Sequence, residues 1–329
     1  MAVNATPEYE KAEARYRQAV TDAEKLDALE EMLRLVPKHK ASEKVQSDLK
    51  RKISALKKEQ ASGKGAAATV VDPYTIVRSG AAQVAVVGLP NTGKSSILAA
   101  VTEAKVKVES YPYSTTLPVP GMWEWQDVRF QLVDTPPLSG EHVEAGLVNL
   151  LRRAGAILVA VDASSPESLD QIDRTLAILA GKRADLFNCP AVQIPADAPL
   201  GRPGLIAVTH ADAVGDGEIA TLGELAGTDL ALCGVDCTTG AGFDRLAETL
   251  WRLLHLIRVY TRIPGHKGEL TDPFTLPVGS TVDDLARAIH RDLPDKIKFA
   301  RIWGTGRHDG QQVHRTEVLA DRDIVELHE

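Results

Sequence analysis

Gly88-Leu89-Pro90-Asn91-Thr92-Gly93-Lys94-Ser95-Ser96 is the most informative stretch of this chain. An apolar β-branched run, Val84-Ala85-Val86-Val87, leads into it, and Ile97, Leu98 and Val101 follow at helical spacing. The pattern is strand, glycine loop, helix, with the spacing G-x-x-x-x-G-K-S of a phosphate-binding loop. Glycines at both ends let successive backbone N–H groups turn inward on a polyphosphate. Lys94 adds a point charge at the β/γ oxygens, and the Ser95 hydroxyl can ligate Mg²⁺. The helix that begins there aims its positive end at the same anion. The expectation is a bound nucleoside triphosphate.

Outward from the loop, strands and helices alternate. Val128–Val133 reads as a strand ending in Asp134, Glu141–Arg153 as a helix and Ala156–Val161 as a buried strand. Leu169–Leu179 is a helix, Leu205–Thr209 and Leu230–Val235 are strands, and Phe243–Leu254 is a helix. Such alternation predicts an α/β domain with a mostly parallel, doubly wound sheet, its ligand at the carboxyl ends of the strands. The loop, Asp134 and Asp212 all fall at such ends. Before this region, residues 7–60 read as a small helical module. Thr6-Pro7 suits a helix start, Thr21-Asp22-Ala23-Glu24 is a capping box, and Ser42–Lys58 makes a further helix. Ala61–Ala66 reads as a linker. After Ile257 come short strands around a Thr281–His290 helix, a small α+β tail of β-grasp type. The boundaries expected are 1–66, 67–256 and 257–329.

At 329 residues the chain is too long for one ordinary core, and 44% hydrophobic with 25% charged residues is a globular composition. No apolar run approaches ~20 residues, so no membrane span and no membrane partner are expected. Met1–Glu10 lacks a basic-then-apolar leader, and Cys189, Cys233 and Cys237 show no metal spacing, so reduced thiols in a cytoplasmic protein are expected. Net charge is −7, yet residues 1–66 hold 14 Lys/Arg against 11 Asp/Glu. The excess sits in Lys38–Lys58, which reads either as a phosphate-tracking patch or as a solvated helix face. His142, His255, His290, His308 and His314 share no ligand spacing. Trp123 and Trp125 alternate on one strand and read as packing residues, and Asp162 as the cap of its strand.

A phosphate loop does not choose the base. The second signal is Asp134-Thr135-Pro136-Pro137, where an aspartate can hold Mg²⁺ through water. The third is Thr209-His210-Ala211-Asp212, where a carboxylate can accept from guanine N1 and N2. The fourth, Cys237-Thr238-Thr239-Gly240, is a polar turn placed to back the base. Between the first two lies Tyr111-Pro112-Tyr113-Ser114-Thr115-Thr116-Leu117, whose Thr116 can close over the γ-phosphate and Mg²⁺.

With these four signals in order, the chain resembles the Obg-like GTPases, most closely the developmentally regulated GTP-binding (DRG) branch with a C-terminal TGS domain. Thr6-Pro7-Glu8-Tyr9 and Val36-Pro37-Lys38-His39-Lys40 are similar to that family's helical leader. Tyr111–Leu117 is similar to its switch I, which implies Thr116 as a Mg²⁺ ligand. Ile257-Arg258-Val259-Tyr260-Thr261, Leu276-Pro277 and Ala300-Arg301-Ile302-Trp303-Gly304 resemble its TGS domain. The resemblance implies a P-loop GTPase that binds GTP and GDP with Mg²⁺ and works with the ribosome or structured RNA. It also implies a K⁺ ligand at Asn91, beside the phosphates, so that Lys94, Asn91 and Thr116 carry catalysis.

Three places depart from the family pattern. The glycine of D-x-x-G is Pro137, which has no N–H to offer a γ-phosphate. The N-K-x-D motif is Thr209-His210-Ala211-Asp212, and the S-A-x turn is Cys237-Thr238-Thr239. Leu138 stands where many GTPases place a water-orienting glutamine, and an apolar side chain cannot orient water. The expected activity is therefore slow GTP hydrolysis. The alternative that Pro137 favours is a hydrolysis-poor scaffold that docks a protein partner through its helical and TGS-like ends. An ATPase is disfavoured by Asp212.

Overall fold

The computed structural model describes residues 9, 11–12, 15–16, 22–36, 46–54, 72–103, 117–140, 143–195, 198, 201–262, 272–304 and 308–328. The switch I stretch Tyr111–Thr116, the linker 61–66 and the capping-box residue Thr21 lie outside the described residues. The chain forms two compact units, Met1–Val71 and Asp72–Glu329. In the first, helix α1 (Asp22–Leu35) and helical residues 46–54 share a small core of Ala12, Leu29, Met32, Val36, Leu49 and Ile53. Lys50, Arg51 and Lys52 of the basic run are exposed there. Lys38, Lys40, Lys44, Lys57 and Lys58 fall outside the described residues.

The second unit is built on β1 (Ala82–Val87), whose last five residues are all buried. A strand buried on both faces needs apolar residues throughout, and the run Val84–Val87 supplies them. β1 pairs in parallel with β3 (Val128–Asp134) on one side and β4 (Ala156–Asp162) on the other. β2 (Val119–Trp125) is an antiparallel edge beside β3. β6 (Arg202–Thr209) lies beyond β4 and pairs in parallel with β5 (Leu186–Phe187) and β7 (Ala231–Gly234). Among the described residues this gives seven strands, with the path β2-β3-β1-β4-β6-β5 and β7 on β6.

Alternate side chains of these strands feed two cores. Val84, Val86, Phe130, Leu132 and Leu158 pack on the face covered by α2 (Lys94–Val101) and α6 (Phe243–Leu254). Ala85, Val87, Val133, Ile157 and Val159 pack on the face covered by α3 (Ala145–Arg153) and α4 (Ser168–Gly181). Trp123 and Trp125 are core residues, packed with Phe130 at 5.7 and 6.2 Å between ring centroids. Helix α5 (Asp216–Leu225) has no counterpart in the sequence reading. It buries only Ile219 and contains Gly217 and Gly223, so it shows little helical periodicity.

The tail forms a second sheet of order β11-β10-β12-β8-β9. Its strands are β8 (Leu256–Arg262), β9 (Phe274–Pro277), β10 (Phe299–Trp303), β11 (Gln311–Val313) and β12 (Asp323–His328). Among the described residues of this sheet, β8 and β12 pair in parallel and the other pairs are antiparallel. Helix α7 (Val282–Ile289) is capped by Thr281, which accepts from Asp284 N, and buries Val282 and Leu285 in this sheet's core.

The two sheets are joined through one buried cation, Arg258 of β8, 5% exposed. Its guanidinium donates to Asp321 Oδ1 and Oδ2 at 3.1 and 2.7 Å, to Gln126 Oε1 at 2.8 Å and to Asp127 Oδ1 at 3.1 Å. It also lies over the Trp251 ring, 5.2 Å from the centroid. Tyr260 donates to the other Asp127 oxygen. Gln126 and Asp127 are the turn of the β2–β3 hairpin, and Gln126 has φ +53°. Burial pushes the Asp127 carboxyl up, but hydrogen bonds from Tyr260 and Arg258 outweigh it and leave the group below the usual carboxylate range. The Asp321 bonds hold Arg258 firmly charged. Arg258→Met keeps the stem and strands two partly buried carboxylates. It is expected to cost about 2–3 kcal/mol, read as a lower urea midpoint with an unchanged slope.

Candidate functional site: a nucleotide site at the carboxyl ends of the strands

The loop between β1 and α2 is fixed by its neighbours. Gly88 has φ +156°, and a Cβ there would stand 2.6 Å from the Ala160 carbonyl oxygen and 2.7 Å from Thr92 Oγ1. Gly93, at φ +82°, would drive a Cβ to 2.8 Å from Thr209 Cγ2. Both ends of the loop therefore demand glycine, for conformation and for space. Asn91 is exposed with φ +61°, a left-handed conformation that asparagine tolerates well. Pro90 is half-buried beside it, and Leu89 is buried. Thr92 donates to the Leu89 carbonyl at 3.0 Å, closing the loop on itself.

Lys94 is buried, and its Nζ donates to the Leu89 carbonyl at 2.6 Å. Burial lowers its pKa to about 8, against the opposing pull of Asp134. Ser95 donates to Asp134 Oδ2 at 2.6 Å, so the loop hydroxyl and the carboxylate ending β3 share one point. A hydroxyl and a carboxylate are hard oxygen donors, the kind Mg²⁺ takes. Ser96 follows in α2, half-buried.

Thr135 and Leu138 bracket the two prolines. Thr135 donates to the Val86 carbonyl through its N–H at 3.3 Å and its hydroxyl at 2.8 Å. The Leu138 N–H donates to Gly88 O at 3.0 Å, and its side chain is 1% exposed in the core. Pro136 and Pro137 thus form a short bridge pinned at both ends to β1 and its loop. Leu138 is a core anchor.

Thr209, at the end of β6, is 1% exposed. Its hydroxyl lies 3.1 Å from the Val161 carbonyl and 3.2 Å from the Thr92 carbonyl, tying the base-side motif to the phosphate loop. His210 has φ +53°, and its Nδ1 stands 2.8 Å from Asp162 Oδ1. Asp162 also accepts from Ser164 N at 2.9 Å, the strand cap expected of it. Asp212 is exposed on the 3₁₀ turn Ala211–Ala213. The Cys237-Thr238-Thr239 turn is organised by Asp236, a residue the sequence reading passed over. It accepts from Thr238 N at 2.8 Å and from the Thr239 hydroxyl. A side-chain oxygen accepting from the N–H two residues on is the aspartate turn signal that was available there. Ala211 N donates to Val235 O at 3.3 Å and so joins the two base-side turns.

The described site residues thus converge on one end of the sheet; Thr116 lies outside the described residues. Among the described residues no group of three His, Cys, Asp or Glu side chains could hold a metal, and no helix is long and apolar enough to cross a membrane.

Residues 83–189 match the 50S ribosome-binding GTPase family, and residues 257–329 match the TGS domain. This is a P-loop GTPase fold followed by a TGS domain. A developmentally-regulated GTP-binding protein 2 homolog of Dictyostelium discoideum is 26% identical, over 92% of this chain and 98% of its own. The human developmentally-regulated GTP-binding protein 2 is 22% identical over 92% of this chain and 98% of its own. The Dictyostelium alignment runs over 366 positions, more than the 329 residues here, so the relative carries segments this chain lacks. A solved G domain of the T. maritima FeoB iron transporter is 22% identical over 51% of this chain and 95% of its own, with TM-score 0.36. By domain content and likeness along nearly its whole length, the chain is similar to the developmentally-regulated GTP-binding proteins. It is a GTP-binding GTPase, and GTPases of this kind generally use Mg²⁺.

Lys94 gives the site a pH signature. An anion at Gly88–Ser96 favours the ammonium form, which the free protein loses as pH rises through about 8. GDP affinity, measured calorimetrically, should fall roughly tenfold between about pH 7 and 9, since one proton is linked to binding.

Proposed function

We propose that the chain hydrolyses GTP to GDP and phosphate slowly, with Mg²⁺ and stimulated by K⁺, as a switch in ribosome- or RNA-associated work in the cytoplasm. The observation that carries it is the convergence of Lys94, Ser95 and Asp134 at the loop with Thr209 tying Asp212's turn to Thr92. Its working parts are a helical module 1–66, a G domain 67–256 and a TGS domain 257–329.

In this reading Asp212 accepts from guanine N1 and N2, and Cys237–Thr239 closes over the base. Backbone N–H groups of Gly88–Ser96 face the phosphates, where Lys94 leaves the Leu89 carbonyl for the β/γ oxygens. Ser95, Asp134 through water, and Thr116 would hold Mg²⁺, which would supply positive charge against the developing negative charge on the phosphate oxygens. The Asn91 carbonyl would help hold K⁺. Water attacks the γ-phosphorus, the bond to the β-phosphate oxygen breaks, and one proton passes to solvent with the phosphate. Leu138 has no donor or acceptor for that water, so charge stabilisation carries the rate. Steady-state GTP hydrolysis should run about tenfold or more faster in K⁺ than in Na⁺, and Lys94→Ala should abolish it. Equal rates in both salts would remove Asn91 from catalysis.

A second reading, a scaffold that scarcely hydrolyses and docks a protein partner, is favoured by one observation. The Pro136-Pro137 bridge is held to β1 and its loop by Thr135 and Leu138 with no nucleotide needed. Proline offers no N–H to a γ-phosphate, so nucleotide discrimination falls to Thr116. Pro137→Gly should raise the preference for GTP over GDP roughly ten- to a hundredfold, one added bond to a charged oxygen. Measured affinities that leave the ratio unchanged would show that another donor already serves that oxygen.

A further inference from the structure

We propose that Arg78, Arg152, Arg153, Lys182, Arg183 and Arg202 form a docking track for the phosphate backbone of structured RNA. They lie at the amino ends of the strands, opposite the phosphate loop. Arg152 and Arg153 end α3, Lys182 and Arg183 follow α4, Arg202 opens β6, and Arg78 precedes β1.

Part of this cluster caps helix ends. Arg78 donates to the Arg153 carbonyl, and Arg202 to the Arg152 carbonyl and, at 2.6 Å, to Gly201 O. Cations belong at a helix carboxyl end, where the dipole presents about half a negative charge. Six full charges exceed that need. Among the described residues none of the six pairs with a carboxylate, although Asp185 is close in sequence. Burial, then Arg78 and Arg152, lower the Arg202 pKa, so these guanidiniums stand close enough to repel one another. Arg152 Nε is buried with no hydrogen-bond partner. A cationic strip without internal counter-charge, on a chain of net charge −7, calls for an outside anion.

Its shape selects a polyanion. β5, β6, β4 and β1 are neighbours, so the cations spread over three interstrand gaps, ~14 Å in all. A lone phosphate would meet one or two of them; successive phosphates of a nucleic-acid backbone would meet the line. Arg78, Arg153, Lys182 and Arg183 are exposed, with most of their donors turned to solvent. The inference rests on the RNA-associated part of the proposed function and adds to it a surface remote from the nucleotide.

The test uses the full chain with two probes, purified large ribosomal subunits and a protein-free hairpin of their RNA. Affinities are measured from about 50 to 200 mM salt. The combined variant Arg153→Gln, Lys182→Gln, Arg183→Gln should bind the hairpin at least about tenfold more weakly, with a salt slope shallower by about 2. GTP hydrolysis should be unchanged, which shows that the variant is folded. Arg153→Lys with Arg183→Lys, which keeps the charge, should retain both affinity and slope. Binding by the wild type that the glutamine variant shares overturns the track alone. No binding of the wild type to either probe overturns the track together with the RNA-associated reading, while GTP hydrolysis stands apart. A loss confined to intact subunits, with the hairpin bound equally by both proteins, assigns the surface to a ribosomal protein and also overturns the track.

Discussion

A doubly buried strand turns into a helix within six residues, Gly88 to Gly93, and the arrangement of the nucleotide end follows from that turn. β1 has neighbours on both sides and helices on both faces, so its exit has almost no free space. Gly88 passes against Ala160 of β4, and Gly93 against Thr209 of β6. The same crowding that forces glycine there brings the ends of β3, β4 and β6 to the loop. Ser95 meets Asp134, and Thr209 reaches the Thr92 carbonyl. The residues proposed to meet the phosphates and the base are thereby brought together by sheet register.

That packing also holds a charge in reserve. Lys94 is buried against a carbonyl, with its ammonium destabilised by lost hydration. A polyphosphate would replace weak carbonyl solvation with full negative charge, a large gain in a low-dielectric site. At the other end of the sheet, Arg258 is buried too, yet its charge is met by Asp127 and Asp321. One buried cation is left for a ligand, and the other joins two sheets.

Much of this was legible in the sequence, because the deciding signals are local. A glycine loop between an apolar run and a helix, and aspartates closing apolar strands, need only short windows. The strand Val128–Asp134 and the helix Phe243–Leu254 were read nearly to the residue. Helix Asp216–Leu225 was not, since a surface helix with one buried residue leaves no apolar stripe. Asp236 was missed although its turn signal is local. Arg258 and the arginine edge are different, because their partners lie fifty or more residues away in sequence, at 321 and 127 or across α3 and β6. Only the folded register brings such residues together.

Asp212, tied to the phosphate loop through Thr209 and Thr92, is the residue on which the proposed guanine selection rests. Displacement of a bound fluorescent GDP by GTP, ATP and XTP, in wild type and in Asp212→Asn, addresses it most directly. GTP should displace at least about a hundredfold better than ATP from the wild type, because adenine would leave a carboxylate without donors. The variant should reverse toward XTP. Equal displacement of GDP by ATP and GTP from the wild type would contradict that selection.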